Sequence, residues 1–530
     1  MQLNKTIQIF ICIVTCVKYV SNCQILEGEN MKFYVNSTEM LNHIEYPFCN
    51  LIRNSWNDWG FLTTFSLKYY PAKGVEPFIF GSVKIGKTNM NKPETYSNTL
   101  KTPLPDSFNI LDEDYFSLGN SSDYYSNFYK FGLENKDEQE NILRSLRDVV
   151  FDISIYKTNN AESVMMNSLM RNSSVKTVKD VYAQVLSTGN EHLTPYNFSI
   201  KLKKEITNTK MNFNVSPETL PQSNIHTLIG RNGVGKTNIF TSIISTLSGF
   251  DSDSNVIAEF IGKENISSVL ALSYSIFDTT LPKKNIFGEI PYRFIGFIQE
   301  NNPISNQSLN DFINSEFINS VDYMREHEFL HTLVSECIDT LNSDPVFESL
   351  NVKTWLAENN APKLKTLYSK LSSGHKIVLL SIFKIIISVE PNSIVLIDEP
   401  EQNLHPPLIS SFIQAILNVL KKRNAMAIIA THSPVIVQEC TTESTWILNR
   451  SNDQLKINRP TIKTFGANVG EITYDVFDLE VDKSGYMDVI NKAVATHNDI
   501  ASVVDIFHNK IGTESYLRIA SILYQKRVND

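Results

Sequence analysis

Residues 225–240, IHTLIGRNGVGKTNIF, decide how this chain is read. Four of the first five are apolar or β-branched, and a run that short, closed by a glycine, fits a buried strand. Beyond the turn, Ile239, Ile243, Ile244 and Leu247 recur at helical spacing. Strand, glycine turn and helix together form the context in which G-x-x-x-x-G-K-[ST] binds phosphate, and Gly230 to Thr237 fill that pattern. Gly230, Asn232, Gly233 and Gly235 would form the curl whose successive N–H groups point inward at a phosphate chain. The following helix adds its positive end. Lys236 would reach the β- and γ-phosphates, and the Thr237 hydroxyl would hold Mg²⁺. A glycine-rich turn that binds no nucleotide is the competing reading; the complete pattern in its strand-to-helix context argues against it.

Downstream lie pieces that such a loop requires. Residues 371–375, LSSGH, precede an apolar run at 377–389 with the pattern of a buried helix. Residues 393–400, SIVLIDEP, read as a buried parallel strand ending in two carboxylates, which sets them at the carboxyl edge of the sheet beside the phosphate loop. Asp398 would complete the Mg²⁺ shell, and Glu399 would orient and polarise the attacking water. The apolar run 425–430 ends in THSP, bringing His432 to the same edge as a γ-phosphate contact. Taken singly, a strand can end in acidic surface residues and a lone histidine is usually structural. Four such elements in one order are harder to explain that way.

That order of motifs (phosphate loop, LSSGH, DEPEQNLHP, ATHSP) resembles the ATP-binding-cassette class of P-loop ATPases. Within the class it is similar to the soluble AAA-type group that includes the overcoming-lysogenization-defect proteins and the ATPases of several bacterial anti-phage systems. The matching motifs lie between residues 195 and 479, and the segment 459–471 resembles the tail of the same group. The resemblance implies ATP and Mg²⁺ as ligands and a head-to-head homodimer. In it the signature residues Ser372 and Gly374 of one subunit would touch the γ-phosphate held by the other. Ser373 and His375 stand where transporters usually carry Gly and Gln, and QNLH at 402–405 replaces the transporter's SALD. These departures, and the lack of a membrane-spanning run, turn the reading away from a transporter. Gln299 is the candidate for the cassette's glutamine loop. The relatives carry a nuclease domain rich in carboxylates; the residues after His432 contain no D-x-D, so no built-in nuclease of that kind is expected here.

Working outward, 530 residues exceed what one core holds, so two or three domains are expected. A net charge of −9 means that nucleic-acid contact would need a local basic patch that the composition does not support. The six cysteines form no C-x-x-C pair and suggest neither a disulfide scaffold nor a zinc site. Residues 1–30 imitate a secretory leader, with Lys5 before an apolar run at 7–17 and then Ser21-Asn22-Cys23. Lys18, Asn22 and a downstream ATP site speak against export, and Met31 offers a second start. The expectation is a spurious or non-functional extension on a cytoplasmic protein.

Residues 31–194 are expected to form an α+β block. A hairpin covers 60–70 and 77–85, and a helix carries Ile142, Leu143, Leu146, Val149 and Val150 on one stripe. Tyr124, Tyr125, Phe128 and Tyr129 read as core. Strands at 198–202 and 211–215 lead into the ATPase domain, 195–480. Residues 250–370 read as an insertion, opened by a strand at 267–276 and dominated by a long helical lid at 309–341. Residues 481–530 read as a helical tail. Within the lid, His327-Glu328-Phe329-Leu330-His331 matches H-E-x-x-H, which on a helix sets two imidazoles on one face as in zinc proteases. No third ligand completes it at the usual spacing.

The expected architecture is therefore α/β: a P-loop NTPase core of the ATP-binding-cassette type with a helical insertion and an N-terminal α+β block. The expected function is a Mg²⁺-dependent ATPase that switches between open and ATP-closed dimers, with a setting in anti-phage defence and an effector or nuclease as partner. A non-hydrolysing ATP-gated binding module is the alternative, and a zinc protease a minor one.

Overall fold

The computed structural model describes residues 31–36, 45–58, 60–91, 99–189, 195–203, 209–217, 219–250, 256–273, 281–286, 288–296, 306–327, 330–357, 360–402, 404–451, 454–477, 485–508 and 510–529. The chain divides into two compact units, Met1–Glu191 and His192–Asp530. The leader-like stretch, Gln299 and Glu328 lie outside the described residues.

In the first unit, β1 (Lys32–Val35), β2 (Phe48–Arg53), β4 (Thr64–Tyr70), β5 (Phe78–Lys87), β7 (Ser107–Phe108) and β8 (Tyr115–Gly119) form a sheet in the order β7-β1-β2-β4-β5-β8. The short strands β3 (Phe61–Leu62) and β6 (Leu100–Lys101) pair separately. The antiparallel pairing of β4 with β5 is the hairpin that the alternation at 60–85 predicts. Helix Ser122–Gly132 buries Tyr124, Tyr125 and Phe128 against this sheet, with the Phe128 ring stacked on Phe80 at 4.0 Å between centroids; Tyr129 is half-buried. The neighbouring helix Lys136–Ser145 is shorter than its apolar stripe predicts. Arg147 turns left-handed at φ 53°, and the buried Asp148 carboxylate accepts the Val150 and Phe151 N–H groups at 2.9 and 3.1 Å. The chain bends there, and Val149 enters the core from a turn. A buried ion cluster ties the unit together: Asp58 lies 2.8 Å from both Lys84 Nζ and Arg171 Nη1.

The second unit is built on a seven-stranded sheet. Its strands are β11 (Ile225–Gly230), β13 (Val269–Ser273), β14 (Tyr292–Gly296), β15 (Ile394–Asp398), β16 (Met426–Thr431), β17 (Thr445–Ser451) and β18 (Gln454–Asn458), in the order β14-β13-β15-β16-β11-β17-β18. All pairings are parallel except the last, β17 with β18. β11, β13 and β16 are buried throughout, as sheets covered on both faces require. On one face, helix Lys236–Ser248 shares a core with a second sheet, β10-β9-β12, made of β9 (Tyr196–Leu202), β10 (Lys210–Val215) and β12 (Ile257–Ile261). Helices Ser373–Ser388 and Pro406–Lys422 are apolar along most of their length and bury that surface in the same unit.

The insertion is smaller than the sequence suggests. β12 joins the second sheet, and β13 and β14 extend the main one, so the helical stretch begins only at helix Asn306–Glu326. The expected single lid helix is two, Asn306–Glu326 and His331–Leu341. At the C-terminal end, helices Gly485–Thr496, Ile500–Ile506 and Thr513–Asn529 pack around their own small cluster of Met487, Ile490, Val494, Val503, Ile519 and Leu523. Among the described residues, no helix is long and apolar enough to cross a membrane.

Candidate functional site

The strand order β15-β16-β11 brings the ends of three buried strands to one edge. β11 ends at Gly230, whose bare Cα is required by packing: a Cβ there would meet the Leu448 carbonyl oxygen at 2.2 Å. The loop then turns through Gly233 and Gly235 at φ 78° and 107°, conformations that a side chain would strain. Asn232 is exposed on this loop. Space around Gly233 is open, and Gly235 has only the Arg450 guanidinium at 4.0 Å from where its Cβ would stand.

Lys236 opens the helix, and its side chain is only 4% exposed. Its ammonium donates to the carbonyls of Gly230 at 2.9 Å and Arg231 at 3.1 Å, and lies 4.0 Å from Glu399 Oε1. Burial lowers its pKa from the usual lysine value, while Glu399, Asp398 and Glu401 act in the opposite direction. Thr237 Oγ1 donates to Asp398 Oδ2 at 3.0 Å. A hydroxyl and a carboxylate so juxtaposed, at the mouth of an open glycine loop with a buried cation, fit a Mg²⁺ ion and a polyphosphate.

Glu399 follows the strand in a left-handed conformation, φ 45°, which costs a non-glycine residue energy and aims its carboxylate off the strand direction. Two contacts hold it: its N–H donates to the Ala430 carbonyl at 2.9 Å, and Gln402 Nε2 donates to its Oε2 at 2.7 Å. His432 is 44% exposed, with Nδ1 3.8 Å from Glu399 Oε1. The buried residue behind it is Glu401, 7% exposed. Glu401 Oε1 accepts the Thr431 hydroxyl at 2.7 Å and the His432 N–H at 2.8 Å, and stands 3.2 Å from His432 Nδ1. The motif DEPE contains Glu401, yet nothing in the spacing says that it faces the turn after β16.

Ser372 and Gly374 are not joined to these groups by hydrogen bonds. Ser372 caps helix Ser373–Ser388, and its Oγ lies 2.6 Å from His375 Nδ1; Gly374 is buried in the first turn. The H-E-x-x-H expectation is corrected by the structure. Helix Asn306–Glu326 ends before His327, and His331 opens helix His331–Leu341, so the two histidines do not share one helix. His327 is fully buried, stacks on Tyr323 and has Nδ1 at 2.6 Å from the Tyr323 carbonyl. His331 Nε2 lies 2.9 Å from the Met324 carbonyl, so each imidazole contacts a carbonyl near the end of the preceding helix. Cys49, Cys337 and Cys440 are buried free thiols, the latter two pushed up to about 12 chiefly by burial.

Residues 356–438 match the AAA_21 family, described as "AAA domain, putative AbiEii toxin, Type IV TA system". Protein ea59 of Escherichia phage lambda is 32% identical over 493 residues, spanning 87% of this chain and 92% of that protein. The chain belongs to the ea59 family. A retron Vc95 probable ATPase of Vibrio cholerae serotype O1 biovar El Tor is 35% identical over 78 residues, 15% of each chain. Among solved structures, the ATP-binding cassette MJ1267 in its ADP conformation is 14% identical with a TM-score of 0.27, covering 54% of this chain and 96% of its own. The SMC head domain from Thermotoga maritima is 11% identical with a TM-score of 0.27, covering 51% and 99%. This member of the ea59 family thus carries a segment that matches an AAA domain. The matched segment carries LSSGH, DEPE and the turn that holds His432.

Proposed function

We propose that the chain is an ATP-hydrolysing switch that closes head to head around Mg-ATP and opens on hydrolysis. The observation that carries this reading is the convergence of Lys236, the Thr237–Asp398 pair and Glu399 at one sheet edge. Mg²⁺, held by Thr237 and Asp398, would neutralise charge on the phosphates during transfer. Lys236 leaves its loop carbonyls to bind the β- and γ-phosphates, where a buried cation counts for more than in water. Glu399, restrained by Gln402, orients a water and takes its proton as it attacks the γ-phosphorus. His432, placed through its N–H by Glu401, contacts the γ-phosphate.

Ser372 and Gly374 serve the partner subunit's nucleotide, so that ATP is the adhesive of a homodimer. The chain works in the cytoplasm, in defence against phage or foreign DNA, and passes its change of state to an effector protein through its first unit and the helical stretch after 306. The relation to a retron ATPase supports that setting.

Light scattering on Glu399→Gln protein, with and without Mg-ATP and beside a Ser372→Arg version, tests the switch. The expected result is an ATP-dependent doubling of mass that the Ser372 variant lacks. A mass unaffected by ATP in both proteins would reject the sandwich.

A further inference from the structure

Away from the phosphate loop, three side chains from three separate segments meet. Asp344 precedes helix Pro345–Leu350, His375 lies in the first turn of helix Ser373–Ser388, and His405 precedes helix Pro406–Lys422. One ligand atom from each lies within 4.8 Å of the other two. We propose that Asp344, His375 and His405 form a binding site for a divalent transition metal of the zinc and cobalt class.

The distances suit such an ion. A tetrahedral centre with bonds of about 2.0–2.2 Å sets its ligand atoms about 3.3–3.6 Å apart. Here Asp344 Oδ1 is 3.2 Å from His375 Nε2 and Oδ2 is 3.6 Å from His405 Nε2, so the carboxylate reaches both imidazoles, and with one donor atom from each residue the set spans no more than 4.8 Å, a spread that binding would draw in. The supporting contacts are also present. Asp344 Oδ1 accepts the Val346 N–H at 2.9 Å, which fixes the carboxylate. His375 Nδ1, at 2.6 Å from Ser372 Oγ, has a partner for its proton, leaving the Nε2 lone pair for a metal. Asp344 and His375 are buried, whereas the His405 side chain is 53% exposed. Three protein ligands with one open side leave a coordination position for water.

The surroundings restrict which cation can bind. Each ligand stands at a helix N-terminus, where the backbone contributes positive partial charge. A hard, loosely held ion such as Mg²⁺ or Ca²⁺ also prefers oxygen ligands and gains little from two imidazoles. A metal that forms directional bonds to nitrogen can offset that field. His405 must change its bonding to take part: its Nδ1 accepts the Leu408 N–H over a long 3.3 Å. Ligation through Nε2 places a proton on Nδ1 and replaces that cap bond with a coordinate bond.

Occupancy has a consequence at the signature motif. With the metal on His375 Nε2, Nδ1 can only donate, so Ser372 Oγ becomes its acceptor and the serine's own proton must point elsewhere. This consequence rests on the dimer reading of Ser372; the metal site itself does not.

The test uses the full chain, stripped with chelator in nucleotide-free buffer and titrated with Zn²⁺ by calorimetry and with Co²⁺ by visible absorption. Asp344→Asn and His405→Asn retain residues able to cap their helices, and His375→Gln keeps a polar side chain of similar reach. Unfolding of each metal-free variant checks that it folds. The expected result is one Zn²⁺ per chain, a Co²⁺ spectrum of low coordination number, and no competition from Mg²⁺. Ser372→Ala should bind about 10–100-fold more weakly, as loss of an outer-shell partner does. The three ligand variants should lose more than that. Failure of the wild-type chain to bind Zn²⁺ and Co²⁺, or undiminished binding by the folded ligand variants, overturns the proposal.

Discussion

Replacing Glu401 by Gln isolates the charge of a buried carboxylate to which no nucleotide contact is assigned. Its Oε1 accepts two hydrogen bonds, from Thr431 Oγ1 and from the His432 N–H, at 2.7 and 2.8 Å. Glutamine keeps the shape and an acceptor oxygen, so both bonds persist in neutral form. A hydrogen bond to a charged group contributes about 1.5–3 kcal/mol, against about 1 kcal/mol for a neutral one. The pair therefore weakens by about 1–4 kcal/mol, and the His432 imidazole also loses a charged neighbour at 3.2 Å. If half of this is expressed in the transition state, kcat falls about 2–30-fold at about 1.4 kcal/mol per decade. The groups proposed to bind ground-state ATP, Lys236 and Thr237, are untouched, so KM should stay within about twofold. Steady-state phosphate release across ATP concentrations, with Glu399→Gln as the deep-loss control, reads both quantities. An unchanged kcat, or a raised KM with kcat intact, would refute the positioning role of Glu401.

Two further expectations concern stability. Asp58→Asn leaves Lys84, 1% exposed, without its buried counter-charge, and should destabilise the first unit by about 3–5 kcal/mol; calorimetry resolving that unit's transition measures it, and a loss below about 1 kcal/mol contradicts the ion-cluster account. His226, buried on β11, is pushed down to about 4, chiefly by burial. The folded chain keeps it neutral while the unfolded chain takes up a proton below about 6.5, so its contribution is complete above that pH and is lost as pH falls towards 4. Between pH 7 and 5 this amounts to about 2 kcal/mol. The acid-induced fall in the melting temperature of the second unit should shrink in His226→Gln, and an identical fall in both proteins would remove histidine burial as its cause.

The strand, glycine turn and helix at 225–248 were legible because that pattern fixes residue types at consecutive positions, and Gly230, Lys236 and Thr237 needed no knowledge of distant pairing. β15 and β16 were equally plain, since strands covered on both faces are apolar throughout. What escaped the sequence depends on contacts between remote segments. β12, β13 and β14 read as part of an insertion because their partners β9 and β15 lie far away in the chain. The helix stops at Ser145 where Arg147 turns left-handed and the Asp148 carboxylate accepts the Val150 and Phe151 N–H groups, a bend that its apolar stripe does not record. Glu401 sat within a quoted motif, but its role appears only when β16 brings Thr431 and His432 against it. Asp344 had no motif at all, and only the packing of three helix ends gives it His375 and His405 as neighbours.

The measurement that bears most directly on the central claim is single-turnover hydrolysis of Mg-ATP by the wild-type chain and Glu399→Gln, with nucleotide affinity determined on the same samples. The account predicts a rate lower by about 10²–10⁴-fold in the variant, with binding preserved. Equal, slow turnover by both proteins would contradict it, and would make the chain an ATP-gated binding module in place of an ATPase.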